Sequence, residues 1–283
     1  MLKFLYETII GRMILKGLTA PGLSRAVGHF LDTKPSKIFI KSFVRNNGIN
    51  LDDYYSEGFT CFNDCFCRRV KEDRRPVDMN PSSLIAPCDG LLSAYRITDG
   101  LVIPVKQSRY SVADLLGASS IDPKISEEVS SEAEKLAREF DGGLCLVFRL
   151  CVDNYHRYHY FDNGSKGRNI FIPGKLHTVR PIALRNLPVF TENAREYTVM
   201  ETENFGKAVQ VEVGAMFVGK IANNHEEHTF KRGEEKGCFL YGGSTVILLL
   251  KKDAVGLDDI YFENTGKEIE TPVKMGQKIG KRI

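Results

Sequence analysis

Ser244 stands behind two glycines, in Gly242-Gly243-Ser244-Thr245, and ahead of the apolar run Val246-Ile247-Leu248-Leu249-Leu250. A serine hydroxyl beside a glycine carbonyl, on a tight turn feeding a strand, is placed to attack its own chain. Glycine has no Cβ to shield its carbonyl and adopts backbone conformations closed to other residues, so the Gly243-Ser244 bond can be held in an attackable geometry. Glycine turns before strands are also ordinary punctuation, so the pattern needs partners. Two segments offer them. Asp153-Asn154-Tyr155-His156-Arg157-Tyr158-His159 sets two of the six histidines three residues apart, after the strand-like run Leu144-Cys145-Leu146-Val147-Phe148. Ala86-Pro87-Cys88-Asp89-Gly90 presents one carboxylate on a turn. Hydroxyl, imidazole and carboxylate are the parts that activate a serine: the base takes its proton and the carboxylate orients the ring. Each also has a plainer reading, Asp89 as an Asp-Gly turn and the histidines as a solvated turn or a hydrogen-bonded core pair.

Taken together, these segments resemble the pyruvoyl-dependent phosphatidylserine decarboxylases. The matching pieces run in that family's order: Phe59-Thr60-Cys61-Phe62-Asn63-Asp64-Cys65-Phe66-Cys67-Arg68-Arg69, Pro87-Cys88-Asp89-Gly90, the stretch from Lys106 to Leu116, and Tyr155-His156-Arg157-Tyr158-His159. Ile172-Pro173-Gly174, Val213-Gly214-Ala215-Met216-Phe217-Val218-Gly219 and Lys236-Gly237-Cys238-Phe239 then lead into Gly243-Ser244-Thr245. The resemblance covers most of the chain after about the first fifty residues. Gly242 departs from it, standing where the familiar bacterial form has leucine; the Gly-Ser pair is intact.

The resemblance implies a self-processing proenzyme. Ser244 Oγ would attack the Gly243 carbonyl, elimination would release the upstream chain, and loss of ammonia would leave a pyruvoyl group, the pyruvate-derived cofactor, on the residue that was Ser244. A large chain (1–243) and a small chain (244–283) would stay packed together. Decarboxylation of an amino acid needs an electron sink that no side chain supplies unaided, and a ketone that captures the substrate amine provides one. The resemblance further implies that Asp89, His159 and Ser244 form the processing triad, while His156 serves decarboxylation by donating a proton or positioning substrate. No metal is expected at this site.

Composition agrees with a folded enzyme. A chain of 283 residues, 42% hydrophobic and 27% charged, can bury a substantial core in one large domain or a domain with an appendage. The seven cysteines are odd in number and lack framework spacing, which points to a reducing setting. Cys61, Cys65 and Cys67 suit a metal site by type, yet Phe59, Phe62 and Phe66 repeat at helical spacing around them, so buried thiols on an amphipathic helix from Phe59 to Val70 are expected.

Residues 1–50 carry eight basic residues against Glu7 and Asp32, while the whole chain is only +3, so the rest of the chain is net acidic. Leu2, Phe4, Leu5, Tyr6, Ile9, Ile10, Met13, Ile14 and Leu15 share that segment. The pattern predicts a helix with a broad apolar face that lies in a membrane interface and is drawn to anionic lipid. The same face could instead cap the protein's own core or a homodimer contact. Its apolar runs fall short of the ~20 residues a crossing needs, and Glu7 and Arg12 also interrupt any signal-peptide core, so the segment is expected to be retained.

These observations predict an α+β fold with N-terminal helices packed on a mostly antiparallel β core. Residues 1–50 would form the membrane-interfacial segment and 51–283 the decarboxylase domain. Helix is expected over 1–48 with breaks at Pro21-Gly22 and Pro35, and as an exposed element from Ser126 to Phe140. Strands are expected at Leu91–Ile97, Leu101–Val105, Leu144–Leu150, Tyr197–Glu203, Ala208–Val213 and Val246–Leu250. His225-Glu226-Glu227-His228 has a spacing that could ligate zinc, but its polar flanks favour a loop. The basic C-terminal end reads as solvated, and Lys106 as a surface lysine with a substrate contact as the alternative. The expected activity is conversion of phosphatidylserine to phosphatidylethanolamine by a peripheral enzyme on the cytoplasmic side of the cell membrane, with a phospholipid substrate and no nucleic-acid partner. A pyruvoyl decarboxylase of a soluble amino acid is the near alternative. A serine hydrolase is the remote one, because its serine commonly sits in a Gly-x-Ser-x-Gly elbow before a helix, whereas Ser244 precedes a strand.

Overall fold

The computed structural model describes residues 2–105, 108–120, 127–216, 220–240 and 244–283. Its centre is a nine-stranded antiparallel sheet, and the apolar run after Ser244 is its most enclosed strand. Ser244–Leu250, the serine strand, is buried at all seven positions, as is its neighbour Leu144–Leu150. The sheet runs His228–Phe230, Gly164–Lys166, Arg195–Thr202, Gly206–Val213, Ser244–Leu250, Leu144–Leu150, Gly90–Arg96, Thr271–Val273, with Ile170–Ile172 also pairing Arg195–Thr202. Burial on both faces explains why the central strands read as unbroken apolar runs rather than as alternation. Val246, Leu248 and Leu250 point into one core with Leu146 and Phe148, while Ile247 and Leu249 point into a second with Val147 and Val211.

A smaller sheet, Lys220–Asn223, Glu235–Leu240 and Arg157–His159, carries the histidines, and a third joins Val255–Leu257, Lys278–Arg282 and Ser83–Ile85. All the named pairings are antiparallel, so the α+β expectation holds. The acidic helix is Glu127–Arg138; it is exposed along much of its length but seats Ala133 and Ala137 in the second core. Ser126, expected to open it, lies outside the described residues.

Two expected helices are corrected. The N-terminal apolar segment is not one helix: α1 (Leu2–Glu7) and α2 (Ile9–Leu18) meet at a corner, followed by α3 (Pro21–Leu31). Thr8 makes the corner, its hydroxyl donating to Phe4 O at 2.7 Å and accepting from Gly11 N at 3.0 Å as the N-cap of α2. Gly11 permits it, because a Cβ there would lie 1.9 Å from Phe4 O. Leu5, Tyr6 and Leu15 anchor these helices in the first core, and Tyr6 Oη accepts from Thr178 N at 3.2 Å. The stretch from Phe59 to Val70 is helical only over Phe62–Phe66; Arg69–Val70 instead pairs with Tyr54–Tyr55. Cys61, Cys65 and Cys67 are buried there as expected.

Candidate active site

Register brings the distant site segments to one end of the central sheet. Ser244, first residue of its strand, lies opposite Leu150, the last residue of Leu144–Leu150. On the other side of that strand Leu91 lies opposite Arg149, so Gly90 and the preceding Asp89 reach the same end. At strand spacings of about 4.8 Å, Ser244 and Gly90 are about 10 Å apart across the intervening strand. Gly90 allows this fit, because a Cβ there would sit 3.0 Å from Arg149 O.

From Leu150 the chain passes directly into the histidine segment. His159 N donates to Pro87 O at 2.8 Å, which ties the Asp89 turn to the histidine strand. That strand pairs with Glu235–Leu240, the segment leading toward Ser244, and Phe239 N donates to His156 O at 3.0 Å. Gly243, the expected partner in cleavage, and Lys106 lie outside the described residues.

Ser244 Oγ is fully buried and has no hydrogen-bond partner among the described residues. His156 is also fully buried, against Phe66 with ring centroids 4.0 Å apart. Its Nδ1 lies 2.9 Å from Asn154 O. A carbonyl only accepts, so Nδ1 carries the proton and Nε2, buried without a partner among the described residues, is a bare lone pair. Desolvation, reinforced by the nearby Arg68 guanidinium, pushes the His156 pKa down to about 3. Desolvation likewise lowers His159 to about 4, against the opposing charges of Glu235 and Asp89. Both rings are therefore neutral at pH 7, the state in which an imidazole accepts a proton.

Asp89 is held elsewhere than a resting triad would have it. Arg75 grips both carboxylate oxygens, Nε at 2.8 Å and Nη2 at 2.6 Å, and Met275 N donates to Oδ1 at 3.0 Å. No hydrogen bond joins Asp89 to His159 among the described residues; the carboxylate acts on that ring through its charge. Arg75 was invisible in the sequence because nothing in Asp73-Arg74-Arg75-Pro76 separates it from a surface arginine. Arg68, within the motif at residues 59–69, is 1% exposed and donates through Nη2 to Asp153 O (2.7 Å) and Asn154 O (3.2 Å), fixing the carbonyl that orients His156.

A buried ion pair lies beside the same strand end. Pairing of Glu235–Leu240 with the histidine strand shifts register between Glu235 and Gly237, which leaves Lys236 at a bulge. Bulges re-aim side chains, and Lys236 Nζ reaches Glu212 Oε1 at 2.8 Å and Asn223 Oδ1 at 2.7 Å. Glu212 lies opposite Val246, two residues into the serine strand, and both charged side chains are wholly buried. The pair thus pins the histidine sheet to the sheet that carries Ser244.

A phosphatidylserine decarboxylase family model matches residues 62–281. The chain is 43% identical over 280 residues to phosphatidylserine decarboxylase proenzyme 2 of Clostridium acetobutylicum, covering 99% of this chain and 91% of that protein. It is 38% identical over 283 residues to the phosphatidylserine decarboxylase proenzyme of Clostridium perfringens, with 98% and 91% covered. The proenzyme of Ruminiclostridium cellulolyticum is 37% identical over 289 residues, with 100% and 91% covered. A carboxy-lyase is the class defined, and the chain belongs to the phosphatidylserine decarboxylase family.

Proposed function

We propose that this protein decarboxylates phosphatidylserine to phosphatidylethanolamine after cutting itself between Gly243 and Ser244. What supports the reading is that Ser244, at the end of the central sheet, has a buried Oγ without a partner among the described residues, and that the neighbouring histidine segment carries two neutral rings whose Nε2 (His156) and Nδ1 (His159) are likewise buried without a partner among those residues. Such orphaned polar atoms are costly unless function uses them.

In processing, His159 accepts the Ser244 hydroxyl proton as Oγ attacks the Gly243 carbonyl, and the peptide amide becomes an ester. Removal of the Ser244 α-proton expels the ester carboxylate, which becomes the C-terminus of the large chain. Water then replaces the nitrogen of the remaining unsaturated residue, and ammonia leaves. Asp89 favours the protonated imidazole through its charge, and Arg75 keeps that carboxylate in place. Bonding from Arg195–Thr202 through Gly206–Val213 to the serine strand, and onward to Leu144–Leu150, supports retention of the small chain after the cut.

The residues present fit a pyruvoyl group at position 244: Ser244 and His156 are fully buried and His159 nearly so, and each histidine keeps one ring nitrogen without a hydrogen-bond partner among the described residues. When formed, that group supplies the electron sink for loss of carbon dioxide. His156, held in one tautomer by Asn154 O, offers Nε2 as an acceptor; it would take up a proton that the substrate ammonium group loses on capture and pass it to the substrate carbon after carbon dioxide leaves.

The reading extends to a peripheral position on the cytoplasmic face of the membrane. No described helix is long and apolar enough to cross a membrane. Ile9 is 83% exposed and Met13 69%, and Ile10 and Ile14 are exposed beside them on α2, within the segment of basic excess. The seven cysteines are free thiols, which suits a reducing compartment. The test is turnover of phosphatidylserine in vesicles: wild type should release carbon dioxide and form phosphatidylethanolamine, and Ser244→Ala should do neither. Equal turnover by Ser244→Ala would refute the proposal.

A further inference from the structure

His225 and His228 have no part in the chemistry above, yet the fold gives them a third donor. Glu234, which precedes the bulged strand, comes back to the turn so that one ligand atom from each of His225, His228 and Glu234 lies within 4.8 Å of the others. The imidazoles stack with centroids 3.8 Å apart and planes 11° from parallel. His228 Nε2 is 2.6 Å from Glu234 Oε1, and Lys231 N donates to Glu234 Oε2 at 3.0 Å.

The frame behind these donors is tied on both sides. Lys166 Nζ and Asn169 Nδ2 donate to His225 O at 2.7 and 2.8 Å, and Tyr160 N donates to Glu234 O at 2.9 Å. His228 and Glu234 are half-buried, while His225 is exposed and leaves a path for entry. The Glu234 carboxyl is held below its ordinary pKa by hydrogen bonds from Lys231 and His228 and by the two imidazoles, against the opposing effect of burial.

We propose that His225, His228 and Glu234 form a binding site for a divalent transition metal of the zinc class. Two imidazole nitrogens and one carboxylate are a known zinc ligand set that leaves a fourth position for water. Bonds of about 2.0–2.2 Å around a tetrahedral ion put ligand atoms about 3.4 Å apart, between the closest contact here and the outer limit of the cluster. The stacked, near-parallel rings cannot both hold one ion in their planes, so binding requires the exposed His225 ring to turn out of the stack about its side-chain torsions. Bound metal would clamp the turn before His228–Phe230 to the residue just ahead of Glu235–Leu240. Glu234 O is bonded to Tyr160 N, next to His159, so the clamp stiffens the outer end of the histidine sheet.

The test uses the purified full-length protein, in whatever chain state it is isolated, stripped with chelator and with its accessible thiols blocked. Zinc is titrated in competition with a chromophoric chelator. One ion per protomer should bind, at least about tenfold more weakly in each of His225→Ala, His228→Ala and Glu234→Gln. Zinc should raise the thermal midpoint of the wild type and leave that of His225→Ala unmoved. His225 is exposed, so its variant keeps the test decisive even if His228→Ala folds poorly. Absence of saturable binding, or one equivalent bound with undiminished affinity by His225→Ala or Glu234→Gln, would overturn the proposal and leave His228 and Glu234 as a plain hydrogen-bonded pair.

Discussion

The two site histidines should set much of the acid sensitivity of this fold. Burial lowers His159 from 6.5 to about 4 and His156 from 6.5 to about 3, while in the unfolded chain both titrate near the ordinary value. Below pH 6.5 the unfolded chain therefore binds protons that the folded chain refuses, and stability falls with pH until each folded pKa is reached. Between pH 6.5 and pH 5, at about 1.4 kcal/mol per pH unit, each ring should withdraw about 2 kcal/mol and the pair about 4 kcal/mol. The measurement is denaturant unfolding at pH 7.5 and pH 5.0 in a Ser244→Ala background, expected to keep the protein a single chain, with and without His156→Gln and His159→Gln. Carboxylate contributions are common to both proteins and cancel. The protein carrying both His156→Gln and His159→Gln should lose about 4 kcal/mol less over that interval. Pairs of curves whose pH dependences agree within about 1 kcal/mol would mean that both rings titrate as solvated groups, and the argument for buried neutral bases would fail.

Arg75→Met should destabilise the protein by about 3–5 kcal/mol, because it leaves the buried Asp89 carboxylate without its cation; denaturant unfolding of the Ser244→Ala protein reads this directly. Lys236→Met should cost a similar amount, whereas Lys236→Met combined with Glu212→Leu should recover most of it, since removing both buried charges is often near neutral. A double variant less stable than the single one would show that the pair is a net stabiliser. Ile10→Glu with Met13→Glu changes two exposed side chains, so global stability should hold within about 0.5 kcal/mol per site. Binding to anionic vesicles should fall by about a hundredfold or more in cosedimentation, because each isoleucine or methionine withdrawn from lipid forfeits at least about 1.5 kcal/mol. Undiminished vesicle binding would remove α2 from the membrane contact.

Legibility followed the physics of each segment. Long runs such as Leu144–Leu150 and Val246–Leu250 announce themselves because burial on both faces demands an unbroken apolar sequence. Ser244, Asp89 and the histidine pair stood out as candidates only when the glycine and proline turns around them were taken together with their place in the family's motif order. Short strands such as Arg157–His159 and Gly164–Lys166 leave too few residues for a period to show. The corner at Thr8 was hidden for a similar reason: helix propensity continues across it, and the break depends on a backbone contact that only Gly11 allows. The partners that position the site were the least visible. Arg75 meets Asp89 across fourteen residues, and Lys236 meets Glu212 across twenty-four; both contacts exist only once the sheets have assembled.

The intact mass of the purified protein, taken after borohydride reduction in the presence of labelled phosphatidylserine, tests the central claim most directly. The account predicts two polypeptides, residues 1–243 and 244–283, with the label on the shorter one, and a single unlabelled chain for Ser244→Ala. A wild-type chain that remains whole while it decarboxylates phosphatidylserine would contradict it.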